Sequence, residues 1–320
     1  MQRFKFAFLI GLIFVFGASA QTPEPNRDPE KIKFVTSDID NFWRAYDTAS
    51  KETDKEKKIA IFQSEYFDKG SIGLQDFTSA RIKNSKNLVE SIEKHPKYYA
   101  SIRPSTLRIA DFEKQMRKSF RNLKKIYPDA VFPDVYFLVG VLNSGGTLSK
   151  RGLLIGSEMY GLTPKSPREE LNNWLKSVLL PVDNLPYIVA HESIHYQQKM
   201  TPQQSLLAKS IQEGMCDFIA EMIAGKHANQ VQKTYGEANE TALWKEFEPA
   251  MWEKDYSKWI YDSVNAKDRP ADMGYYMGYK IVQSYYNNAK DKRQAIRDIL
   301  EIKDARKFYE ASKYGEKFGN

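Results

Sequence analysis

The residues of this chain best suited to chemistry stand together in His191-Glu192-Ser193-Ile194-His195. On a helix, His191 and His195 are i and i+4. They project from one face about one turn apart and can share a single metal ion. Glu192 is turned about 100° from His191, so it can reach the open position of that ion without being a ligand. Two imidazoles and a carboxylate base in the pattern H-E-x-x-H suit zinc-dependent hydrolysis. The segment carries helix start signals, with Asn184 as a cap and Pro186 in the first turn.

A catalytic zinc usually takes three protein ligands and keeps one position open, so a third ligand must come from elsewhere. His95, in Lys94-His95-Pro96, reads as a surface residue in a turn. His227, just past Gly225, reads as exposed. Glu213, 18 residues after His195, is the better candidate. It belongs to a second predicted helix, with Thr201 as cap, Pro202 at its first position, Gln204 completing a capping box and Gly225 as its end. Glu213 and Asp217 share a face of that helix. One carboxylate can bind the metal while the other accepts the N–H of a metal-bound histidine. Their neighbours Met215, Cys216, Phe218 and Ile219 argue against a solvated acidic face. Cys216 itself reads as a buried, inert thiol.

Positioning these residues takes a mostly helical protein. Helices are predicted over 54–66, 79–94 and 106–127, after a helical start at Ser37, with no chemistry of their own. The β-branched and aromatic run 135–141 and the run 152–156 read as strands. Asn143-Ser144-Gly145-Gly146-Thr147 between them reads as a turn, which together suggests an antiparallel hairpin. Helical pattern returns over 181–225, broken near Pro202, and over 242–318. Trp244, Trp252 and Trp259 recur at spacings of eight and seven, as a core stripe would. Gly274 and Gly278 recur four apart, as do Tyr275 and Tyr279; glycines there imply close backbone approach or a bend at the floor of a cleft. Tyr275 is the chosen oxyanion donor, with Arg269 and Tyr276 in reserve. The expected fold is α+β, mostly α, with a small antiparallel sheet packed on a helical bundle that carries the H-E-x-x-H helix. Residues 37–130 would form an N-terminal helical layer and 131–320 the zincin-like catalytic region.

Residues 1–20 combine a basic start, an apolar run and an A-x-A end at Ala18-Ser19-Ala20, the pattern of a secretory signal peptide cleaved after Ala20. Residues 21–36 read as a flexible leader. Arg3 and Lys5 fall in the leader peptide, so the formal charge of +7 becomes +5 in the mature chain. The basic residues are scattered, which excludes a nucleic-acid surface. The chain has 1 Cys, so an intrachain disulfide is excluded. No Cys lies near Ala20 to carry a lipid, so no stable membrane anchor is expected after cleavage.

His191-Glu192-x-x-His195 followed by Glu213-x-x-x-Asp217 resembles the gluzincin metallopeptidases, the thermolysin-like group. More closely, the chain is similar to a family of predicted zinc-dependent proteases related to gliding-motility lipoproteins. The similar features are 143–147, the His191 motif, Glu213-Gly214 and 274–279, within roughly residues 130–285. The resemblance implies one zinc per chain held by His191, His195 and Glu213, with Asp217 behind a ligand and Glu192 as general base toward a zinc-activated water. The expected activity is that of an exported, secreted or periplasmic peptidase acting on a peptide or protein substrate. The alternative is an exported zinc-binding envelope or assembly protein without hydrolysis.

Overall fold

The computed structural model describes residues 25–261 and 268–319. The signal peptide expected at 1–20 lies outside the described residues. The chain builds thirteen α-helices and four strands within them.

The N-terminal layer is helical because its apolar residues recur at three and four. In α1 (Ser37–Ala49) the buried positions are Ile39, Phe42, Trp43, Ala45 and Ala49, with the acid Asp38. Helices α2 (Lys55–Phe62), α3 (Ile72–Phe77), α4 (Ser85–Lys94), α5 (Pro96–Thr106) and α6 (Glu113–Ile126) follow. After α2 and α3 the chain widens into single π-helical turns, Gln63–Phe67 and Thr78–Ile82. Phe42 centres an aromatic cluster with Trp43, Phe62, Tyr66 and Tyr99. Two hydroxyls of that cluster leave the layer. Tyr66 donates to Val139 O and Tyr99 donates to Gly140 O, each at 2.8 Å. The layer thus holds the segment that leaves the sheet toward the site. His95, expected at the surface, is buried, with Nδ1 3.1 Å from Ser91 O one turn back.

The sheet has the order β1-β2-β4-β3, from β1 (Phe34–Val35), β2 (Asp134–Leu138), β3 (Gly146–Leu148) and β4 (Gly152–Gly156). The expected antiparallel sheet is corrected to a mixed one. β2 lies parallel to β4, with Val135 opposite Leu153 and Phe137 opposite Ile155. Both strands are apolar on both faces, as parallel strands covered on two sides must be. The true hairpin is β3–β4, in antiparallel register with Thr147 opposite Leu154. Its turn follows Ser149, whose hydroxyl accepts the N–H groups of Arg151 and Gly152.

Of the leader expected over 21–36, the described residues 25–36 make defined backbone contacts. Phe132 N–H donates to Asn26 O, Val135 N–H donates to Lys33 O, and β1 pairs with β2. Polar composition concealed a segment whose backbone completes the sheet edge.

The C-terminal half adds α7 (Asn173–Val178), α8 (Leu185–His195), α9 (Leu206–Ala224), α10 (Gln230–Ala250), α11 (Met273–Asn288), α12 (Lys292–Leu300) and α13 (Ala305–Ser312). One connected core spans both halves, from Ile32 to Tyr314. Within it α11 lies directly on α9. A Cβ on Gly278 would fall inside the Ser210 carbonyl, and one on Gly214 inside the Gly278 backbone. The glycine spacing therefore marks a helix crossing rather than a bend. Of the Trp stripe, Trp244 and Trp259 are buried while Trp252 is exposed.

Glu158 follows β4 and is fully buried. Its carboxylate accepts the N–H of Gly140 at 2.8 Å and of Leu142 at 3.2 Å, so it fixes the segment after β2 from below. Burial pushes its pKa up to about 7. The native state then keeps a proton that an unfolded glutamate, near 4.5, has lost. Its contribution to stability is therefore full below about pH 4.5 and falls as pH rises to about 7, by at most roughly 3 kcal/mol. Urea unfolding of wild type and Glu158→Gln at both ends of that window should show their stability difference shrinking by about that amount at the upper end. A difference that stays constant contradicts the assignment.

Candidate metal centre

α8 is buried nearly all round, by Leu185, Ile188, Val189, Ala190, Ser193 and Ile194, so its few polar side chains have fixed surroundings. Asn184 occupies the cap position without a capping bond; its amide donates to Pro181 O instead. The start predicted for the next helix is corrected. Residues 201–204 are irregular, and α9 begins at Leu206 with the Ser205 hydroxyl accepting Ala208 N–H. Serine at that position bonds the third N–H of the helix, which Thr201 is too far upstream to do. Gly225 ends the helix in the left-handed region, as expected.

α8 and α9 pack side by side and bring the three expected ligands together. Glu213 Oε2 lies 3.2 Å from His195 Nε2 and 3.7 Å from His191 Nε2. Two donors of one tetrahedral zinc at ~2.0–2.1 Å from the ion stand roughly 3.3 Å apart. Glu213 stands near that spacing from both imidazoles, so these three residues could hold such an ion. All three side chains are nearly covered, at 7%, 14% and 8% exposure.

The charges agree with that arrangement. Burial opposes a proton on His191, but Asp217 and Glu213 outweigh it and hold its pKa well above the ordinary value. Burial likewise opposes an anionic Glu213, and the two histidines outweigh it and hold the acid well below the usual carboxylate range. A metal held here would have to displace protons from the imidazoles and would meet a carboxylate already ionised.

The supports behind the ligands are equally specific. His191 Nδ1 is 2.8 Å from Asp217 Oδ1, which leaves Nε2 as the donor toward the metal. Asp217 is fully buried, and the Asn229 amide donates to both its oxygens at 2.9 and 3.0 Å. His227 is corrected from exposed to buried. Its Nδ1 accepts the Asn229 N–H, and its Nε2 lies 3.9 Å from Asp217 Oδ2. The reason is that α9 ends just before it and the chain turns back over Asp217 into α10.

Cys216 offers a competing donor, since His191, His195 and Cys216 can each bring one ligand atom within 4.8 Å of the others. Its Sγ, however, lies 3.3 Å from His195 Nδ1, on the ring edge turned away from Glu213. Gln198 closes that edge, with Oε1 3.1 Å from Nδ1 and Nε2 donating to Sγ. Burial pushes the thiol pKa up, which disfavours the thiolate a metal needs. Cys216 thus packs behind His195, while Glu213 faces both Nε2 atoms.

Glu192 lines the cleft beside the two histidines. A Cβ on Gly146 would fall on its carboxyl carbon, so the glycine of edge strand β3 is what lets that strand and the carboxylate lie in contact. The cleft is about 1020 Å³ and runs between β3 with its preceding loop, α8, and the 228–232 and 270–275 segments. Tyr275 lies in it, its ring parallel to that of His191 at 15° with centroids 6.2 Å apart. Among the described residues its hydroxyl has no hydrogen-bond partner. The two reserves are elsewhere. Arg269 pairs with Glu246 and covers the Trp259 ring. Tyr276 is buried at 1% exposure against Gly236.

Sequence reasoning missed Tyr261, Asn229 and Gln198. The Tyr261 hydroxyl donates to Glu213 Oε1 at 3.3 Å, the oxygen not facing the histidines. It does so from an irregular segment with φ of 59°, for which no periodicity gives a signal.

No helix among the described residues is long and apolar enough to cross a membrane. No curated protein and no solved structure matches the chain. The family model of the gliding motility protein GldB, a lipoprotein family, matches residues 22–316. That match covers the N-terminal layer, the sheet and all the candidate site residues, and the chain belongs to the GldB gliding motility family.

Proposed function

We propose that this protein is an exported zinc-dependent peptidase that hydrolyses peptide bonds, with His191, His195 and Glu213 as metal ligands and Glu192 as general base. The observation that carries the reading is the convergence of two Nε2 atoms on one carboxylate oxygen, at 3.2 and 3.7 Å, with a second carboxylate beside them in an open cleft. A bound zinc would polarise the scissile carbonyl and lower the pKa of a water. Glu192 accepts the proton of the attacking water and passes it to the departing amine. Tyr275, whose hydroxyl has no partner among the described residues, donates to the developing oxyanion. Asp217 holds the Nδ1 proton of His191 and so its orientation.

Substrate would enter as an added strand. β3 is the sheet edge at the cleft. Gly145 and Ser149 bond inward to β4, so by alternation Gly146 and Leu148 face the open side; the Gly146 carbonyl already accepts the Ser144 and Thr147 hydroxyls, which leaves the Gly146 N–H and the Leu148 backbone to pair. An extended peptide can pair there, next to Glu192.

Family membership favours a second reading, an envelope or assembly protein that holds zinc without hydrolysis. A scaffold has no use for a base beside the metal, and Glu192 sets the two readings apart. The deciding measurement for the metal is zinc content of the purified chain. We expect one zinc per chain, lost in both His191→Ala and Glu213→Ala. Loss in His191→Ala alone would mean the third ligand is another residue, and zinc-free protein after loading would remove the enzymatic reading.

A further inference from the structure

We propose that Arg81 is a specificity residue that binds a carboxylate of the substrate, so that the cleft selects acidic peptides. This rests on the reading of β3 as the substrate-pairing edge. Arg81 is the one Lys or Arg that lines the cleft among the described residues.

Its placement is built rather than incidental. It sits on the π-helical turn Thr78–Ile82, a rare distortion that shifts a side chain off the helical path and recurs at functional sites. Lys83 ends that turn at φ of 77°, a strained conformation for a residue with a Cβ. The Arg81 backbone carbonyl accepts the Asn143 amide at 3.2 Å, which ties the turn to the cleft loop. Its Nε donates to Thr147 Oγ1 at 2.8 Å, and that hydroxyl oxygen is in turn 3.0 Å from Ser144 Oγ. The guanidinium is therefore pinned at one nitrogen. Among the described residues its two terminal nitrogens have no partner and remain free to meet a carboxylate as a fork.

Strand geometry states which substrate residue it meets. The Cβ direction of Gly146 points at Glu192, so the Thr147 side chain points to the other face, where Arg81 stands. A peptide paired with β3 alternates in the same way. Side chains beside Gly146 face α8 and the metal, while those one residue away face Arg81. The ligand is a carboxylate, from an Asp or Glu side chain or from the peptide's own C-terminus.

The test is binding to the full chain carrying Glu192→Gln, read by fluorescence anisotropy. Labelled peptides differ only as Glu or Gln at one position in turn, each with a free or amidated C-terminus. We expect one acidic form to bind at least about tenfold more tightly than its neutral counterpart, with the preference lost when Arg81→Gln is added and weakened by salt. A Glu preference at one position assigns an internal side chain; a preference for the free C-terminus assigns the terminal carboxylate. Equal affinity for acidic and neutral forms, no binding of either, or a preference that survives Arg81→Gln would overturn the proposal. Arg81→Lys keeps the charge without the fork and should restore only part of the preference, whereas a variant that had merely disturbed the fold would weaken acidic and neutral peptides alike. Selective binding by a wild-type chain that cleaves none of these peptides would leave Arg81 in place and remove the peptidase reading alone.

Discussion

Glu192→Gln should keep one zinc per chain and lower the turnover of a cleaved peptide by about 10²–10⁴, the usual contribution of a positioned general base. The substitution is nearly isosteric, and the surroundings that hold the side chain do not depend on its charge. α8 fixes its backbone, and Gly146 supplies the space beside its carboxyl carbon. The amide cannot take a proton from water, so the loss should fall on kcat with KM little changed. The proposed ligand set of Glu213, His191 and His195 does not include residue 192, so zinc content should not move. Unchanged turnover with zinc in place would put the base elsewhere, and loss of zinc would make Glu192 a ligand. Full zinc content in a wild type inactive on every peptide would favour the assembly reading that family membership supports.

The clustering of the candidate ligands was largely legible in the sequence because its geometry is local. His191 and His195 share one helix, Glu213 and Asp217 share the next, and i, i+4 spacing fixes their faces without knowledge of the fold. What could not be read depends on contacts far apart in the chain. β2 pairs with β4 in parallel because helices cover both faces, a fact absent from either strand taken alone. Residues 25–36 look like a polar leader, and only the paired edge of β2 gives them a place. His227 looks exposed after a helix-ending glycine, yet Asp217 and Asn229 enclose it. Tyr261 reaches Glu213 across 48 positions from a loop. Thr201 lies too far upstream of α9 to cap it, and the Ser205 hydroxyl accepts Ala208 N–H instead.

The glycine pair, read as close backbone approach or a bend, leads to the second large effect, and the first of those alternatives holds. Gly278→Ala should destabilise the protein by about 3 kcal/mol, the upper end of the usual cost of overpacking. Helix propensity alone predicts the opposite sign, since alanine is favoured over glycine by about 1 kcal/mol in a helix interior. Packing wins because the obstacle is backbone. A Cβ on Gly278 would fall inside the Ser210 carbonyl, and Gly214 opposes it with no side chain to rotate away. To admit one methyl, α11 must move off α9. Tyr275, three residues earlier on α11, lies over the His191 ring, and Glu213 is next to Gly214 on α9. The shift therefore passes into the metal centre, and zinc affinity should fall together with stability. Urea unfolding and zinc titration of the same variant measure both. Gly225→Asn is the control: that glycine has φ of 83° and open space around it, and asparagine tolerates the left-handed region, so both quantities should stay near wild type. A Gly278→Ala variant more stable than wild type would mean that α9 and α11 do not meet backbone to backbone, and the placement of Tyr275 over His191 would fall with that contact.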